Sequence, residues 1–68
     1  MNEETFNGSL RKFLKTLGVG AQREIEKAVR QALAGGRIKG NETFAATATV
    51  MIAGVGLRHE VKGDIELG

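Results

Sequence analysis

Phe6, Leu10, Phe13, Leu14 and Leu17 fall at i, i+4, i+7, i+8 and i+11, the spacing of one apolar helical face. Asn2 suits the N-cap, and Glu3 and Glu4 would occupy the first turn, where the helix dipole favours negative charge. Arg11, Lys12 and Lys15 take the other faces. Gly8 costs about 1 kcal/mol relative to Ala in a helix interior, so a start near Ser9 is the alternative. With Gly18 as the stop, the pattern predicts a helix over about 3–17. Ile25, Ala28, Val29, Ala32 and Leu33 form a second stripe and predict a helix over about 21–34, with Gly20 as N-cap and Gly35 as a left-handed residue past its end. Gly18-Val19-Gly20 would then be a tight connection between two helices packed at a sharp angle, with Val19 filling the gap between them.

The period changes in the second half. Leu57, His59, Val61, Gly63, Ile65 and Leu67 alternate with Arg58, Glu60, Lys62, Asp64 and Glu66, which predicts a strand over about 57–67. Before it, Phe44, Ala46, Ala48, Val50 and Ile52 share one face of a strand over about 44–52. Ala53-Gly54-Val55-Gly56 would turn the chain, and pairing Ile52 with Leu57 puts both apolar faces on one side. Gly35 to Glu42, with three glycines in eight residues, reads as a connector in which a short strand at 37–39 is an option. The expected fold is therefore α+β in ααββ order. Two N-terminal helices pack on one face of a C-terminal antiparallel β-hairpin, in a single domain over 1–68.

The other face of the first strand, Ala45, Thr47, Thr49 and Met51, carries no charge. An uncharged strand at the edge of a two-stranded sheet invites pairing unless something covers it. These four residues are the candidate self-association surface, and a homodimer is one way to cover them.

Length sharpens that reading. A chain of 68 residues buries roughly 60% of its unfolded surface, and a core this small rarely supplies more than about 3–5 kcal/mol. Without cysteine there is no disulfide or thiolate metal site, and a single histidine makes structural zinc a poor prospect. No metal or cofactor is expected. Helix packing and self-association are the remaining staples. Met1-Asn2-Glu3-Glu4 is not a signal-peptide opening, and the uncharged stretch Thr43–Leu57 is too short and polar to span a bilayer. The expectation is a cytoplasmic protein with no membrane partner, in which the two glycosylation-like triplets at Asn7 and Asn41 have no meaning.

The net charge of +2 hides an asymmetry: residues 1–10 sum to −2, residues 11–39 to +6 and residues 40–68 to −2. Arg23, Lys27 and Arg30 at i, i+4 and i+7 would line one face of the second helix, with Arg37 and Lys39 in the following loop. Such a stripe suits a phosphate backbone, and these five residues are the candidate nucleic-acid or anion contacts. Three observations weaken the motif. No aromatic is interleaved with the stripe; Glu24 stands where a backbone-binding helix–hairpin–helix turn needs a small residue; and Ile25 and Ala28 are one position late for a helix-turn-helix. Gly18-Val19-Gly20 follows a helix rather than a strand, so it is not a dinucleotide fingerprint.

His59, the chain's one histidine, falls on the apolar face between Leu57 and Val61, with Glu60 pointing the other way. No nucleophile or acid–base partner accompanies it, so the reading is non-enzymatic.

Met1-Asn2-Glu3, Arg11-Lys12-Phe13-Leu14-Lys15, Gln22-Arg23-Glu24-Ile25-Glu26-Lys27-Ala28 and Lys39-Gly40-Asn41-Glu42 resemble a family of short bacterial proteins that forms a domain of unknown function. The resemblance spans the chain and implies a free-standing bacterial protein of this length. It brings no activity, cofactor or site residue. The function expected is a non-enzymatic protein-interaction or self-associating module, with nucleic-acid binding as the alternative.

Overall fold

The computed structural model describes every residue from Met1 to Gly68. It contains one long helix, α1 (Glu3–Ala34), followed by an antiparallel hairpin of β1 (Thr43–Ile52) and β2 (Leu57–Glu66) joined through a 3₁₀ turn at Ala53–Val55. The chain divides into two compact units, Met1–Arg37 and Ile38–Gly68. The class is α+β, but the expected pair of helices is a single one of 32 residues, about 48 Å long at 1.5 Å per residue. The ααββ order, and with it two helices covering one hairpin face, is therefore wrong.

The correction has a physical cause. Gly18 and Gly20 are helical, and Val19 between them is exposed rather than plugging a gap. A Cβ added at either glycine would meet nothing within 4 Å, so neither is required by a turn or a close approach. Each costs about 1 kcal/mol relative to Ala, too little to break a chain otherwise rich in Leu, Ala, Lys, Arg, Gln and Glu and free of proline. The stripe also runs through the glycines in phase. Leu14, Leu17, Ala21, Ile25 and Ala28 fall at i, i+3, i+7, i+11 and i+14, whereas a turn would have reset the period.

The helix ends are built as the chemistry of orphan backbone groups demands. The Asn2 side chain accepts the Thr5 N–H at 3.1 Å, which makes it the N-cap, and Glu3 and Glu4 occupy the first turn. At the other end the Arg37 N–H donates to the Ala32 carbonyl at 3.0 Å and the Gly36 N–H to Leu33 at 3.1 Å. That pair of bonds is a Schellman motif. Its left-handed residue is Gly36, with φ 72°, one position after the expected Gly35, whose φ is −83°.

The hairpin follows the expected pattern closely, with β1 starting one residue earlier and β2 ending one earlier. Ile52 pairs with Leu57, and the register runs without a bulge to Thr43 opposite Glu66. Directly opposed residues share a face, so Phe44, Ala46, Ala48, Val50 and Ile52 lie beside Ile65, Gly63, Val61, His59 and Leu57. Gly56 closes the turn at φ 66°, its N–H donating to Ala53 at 3.1 Å. The sheet has two strands only, and residues 37–39 form no third.

No residue in the chain is fully buried. Half-buried positions are few: Val29 and Ala32 on α1, Ala46 and Val50 on β1, Ile65 and Leu67 near the chain end, and Ile38, Gly40 and Glu42 in the connector.

Candidate functional site

The apolar stripe of α1 is one candidate surface. Phe6, Leu10, Phe13, Leu17, Ala21, Ile25, Ala28 and Ala32 follow one another at spacings of 4, 3, 4, 4, 4, 3 and 4. Positions recur at eleven residues: Phe6, Leu17 and Ala28; Leu10, Ala21 and Ala32; Leu14 and Ile25. An eleven-residue period is 3.67 residues per turn, close enough to 3.6 that the stripe drifts by only about 20° per repeat. One face of the helix is thus apolar along its length, and it is open: Phe6 is 46% exposed, Phe13 51% and Leu14 50%.

The candidate basic residues lie away from that stripe. Arg23, Lys27 and Arg30 are exposed on one side of α1, within about 10 Å along the axis, and helix continuity adds Lys12 eleven residues before Arg23. None has a carboxylate within 4 Å. The chain's single ion pair is Arg58 with Glu60 at 3.6 Å on the exposed face of β2. Glu26 is engaged instead by Gln22, whose amide donates at 3.1 Å. A concavity of about 240 Å³ bordered by Val19, Gln22, Arg23 and Glu26 has walls from this one helix. Arg37 and Lys39 do not extend the stripe as a helical face would: Arg37 closes the Schellman turn of the first unit, and Lys39 belongs to the connector of the second.

Ala45, Thr47, Thr49 and Met51 share the second face of β1 and are exposed. The register sets them opposite Asp64, Lys62, Glu60 and Arg58, so the face as a whole is charged although its β1 half is not. His59 is exposed opposite Val50. Groups of three or more His, Asp or Glu close enough to hold a metal ion do not occur.

One local device escaped the pattern reading. The Glu42 carboxylate accepts three backbone N–H groups, from Lys39 and Gly40 at 2.8 Å and from Asn41 at 3.1 Å. These donors, Lys39 first and Gly40 next, hold its pKa below the ordinary carboxylate value. The bonds turn the glycine-rich connector into a defined entry to β1, and the Leu67 N–H donating to the Glu42 carbonyl at 2.9 Å ties the far end of β2 to the same residue.

A family model covers the whole chain, residues 1–68. The chain belongs to a family of unknown function (DUF6494). Neither the curated proteins nor the solved structures include a match to it. Membership in DUF6494 agrees with the resemblance read from the sequence and, like it, assigns no chemistry to any residue. No helix of this DUF6494 chain is long and apolar enough to cross a membrane.

Proposed function

We propose that this protein is a non-enzymatic, self-associating interaction module. The observation that carries the reading is the lack of any buried hydrophobic residue beside a helix-long apolar stripe. Most helical stability in proteins comes from packing an amphipathic face, and an isolated two-stranded hairpin is marginal in water. Neither unit contains a core of its own, so a binding surface supplied by another chain fits both needs. Thermal melting over a hundredfold range of protein concentration tests it. Association predicts a Tm that rises with concentration, and a constant Tm removes the reading.

The alternative is nucleic-acid binding through Arg23, Lys27 and Arg30, favoured by their freedom from carboxylate partners. It predicts amide shifts at these residues on adding duplex DNA or RNA, weakening steeply with salt. Edge pairing through β1, with Ala45, Thr47, Thr49 and Met51 at the contact, is a competing arrangement for self-association. It predicts slowed amide exchange along β1 on raising the concentration.

A further inference from the structure

We infer that the open edge of β2 pairs with the same edge of a second copy lying antiparallel, with the two-fold axis at Val61. This rests on the self-association reading and specifies a contact for it. The Leu67 N–H donates to the Glu42 carbonyl opposite, which makes that pair a hydrogen-bonded one and fixes the alternation along the register. Leu57, His59, Val61, Gly63 and Ile65 therefore turn their backbone groups towards β1. Arg58, Glu60, Lys62, Asp64 and Glu66 turn theirs outward, where the two-stranded sheet supplies no partner. A two-stranded hairpin is marginal alone, and a second copy makes it a four-stranded sheet in the order β1-β2-β2-β1.

The signs along this edge identify the occupant. Arg58, Glu60, Lys62 and Asp64 run plus, minus, plus, minus. Reversed about Val61, that order sets Arg58 against Asp64 and Glu60 against Lys62 of the second copy, attractive pairs throughout, while Glu66 meets Gly56. An axis at Glu60 or Lys62 puts like charge on like, and one at Gly63 puts Glu60 on Glu66. β1 does not meet these charges, because it sets Met51, Thr49, Thr47 and Ala45 opposite them. The one ion pair they make is Arg58 with Glu60 at 3.6 Å along the strand, which leaves Lys62 and Asp64 with no opposite charge within 4 Å. On the other face the same axis brings His59 beside Gly63, where an added Cβ would meet nothing within 4 Å. Charges on an edge strand ordinarily oppose strand addition. This order is matched by its own reversal, so the contact is isologous and closes at two copies. The outward groups of β1 belong to Thr43, Ala45, Thr47, Thr49 and Met51, which carry no charge and select neither a partner nor a register.

Charge reversal with mixing tests the pairing. Glu60→Lys and Lys62→Glu would be prepared separately, and the mass of each, and of an equal mixture, followed by sedimentation over a dilution series. Alone, each variant turns the Glu60–Lys62 contacts into like-charge contacts and should self-associate at least about tenfold more weakly than the native chain. The mixture should regain native association, because the two reversed charges then face each other. Variants that associate as the native chain does, or a mixture as weak as its components, overturn the β2 contact and leave self-association standing. A native chain that is monomeric at every concentration overturns both readings. If a variant does not fold, amide exchange on the native chain decides the matter. The N–H groups of Arg58, Glu60, Lys62 and Asp64 should slow on raising the concentration, with those of Ala45, Thr47 and Thr49 unchanged. Slowing along β1 instead overturns the β2 contact.

Discussion

The helix and the hairpin solve the same problem differently. Residues Met1–Arg37 satisfy nearly all of their backbone hydrogen bonds within one helix, yet only Val29 and Ala32 are even half-buried. Residues Ile38–Gly68 need two strands and two tied ends to pair their backbone, and they half-bury Ile38, Gly40, Glu42, Ala46, Val50, Ile65 and Leu67 in doing so. A helix can therefore be complete in its hydrogen bonds without burying its own side chains. A hairpin gains some packing from the pairing itself. The helix is the unit with the smaller half-buried share, and its apolar stripe is the face left exposed.

Breaking the stripe should have the largest effect. Leu17→Asp places a charge midway along the apolar face. It should cost at least about 3 kcal/mol if that face is covered by another chain. Far-UV circular dichroism should lose most of the helical signal while hairpin amide shifts persist. A helix of unchanged content would mean that the stripe is not packed.

The next contrast lies at the helix end. Gly36 is left-handed and Gly35 is not, so Gly36→Ala should destabilise by about 1–2 kcal/mol and Gly35→Ala by less. The reverse order in chemical denaturation would restore the end read from the pattern. Gly20→Ala sharpens the helix side with the opposite sign. An uninterrupted helix with open space at that Cβ should gain about 1 kcal/mol, whereas a turn between two helices would lose stability.

Those glycines mark what was legible in the sequence and what was not. The hairpin could be read because three signals agreed: alternation on β2, a glycine-rich turn, and a pairing that put both apolar faces together. In the helix two signals disagreed. Gly18 and Gly20 suggested a boundary, while the phase from Leu14 to Ala28 ran through them, and the phase was the stronger because it extends over about four turns whereas each glycine carries only a weak local propensity. The basic side chains of α1 were placed on one face by spacing alone, and continuity adds Lys12 to them. Arg37 and Lys39 were grouped with that face only by proximity along the chain, which a Schellman turn and a unit boundary interrupt. The three bonds to Glu42 were not legible, because a carboxylate reaching back to backbone donors leaves no periodic trace.

The smallest effect belongs to that carboxylate. Its pKa is lower in the folded chain than in the unfolded one. The stabilisation it contributes is therefore fully present above the unfolded value and is lost as pH falls through the folded value. Hydrogen exchange at Lys39, Gly40 and Asn41 should accelerate on acidification and in Glu42→Gln, with protection in the middle of β1 and β2 little changed. Equal loss along the whole hairpin would make Glu42 a support of the sheet and not only of its entry.

Sedimentation equilibrium over a dilution series, with helical content recorded on the same samples, tests the central claim most directly. The account predicts a mass above one chain at high concentration and a joint decline of mass and helicity on dilution. A single-chain mass at every concentration, with helicity intact, would contradict it.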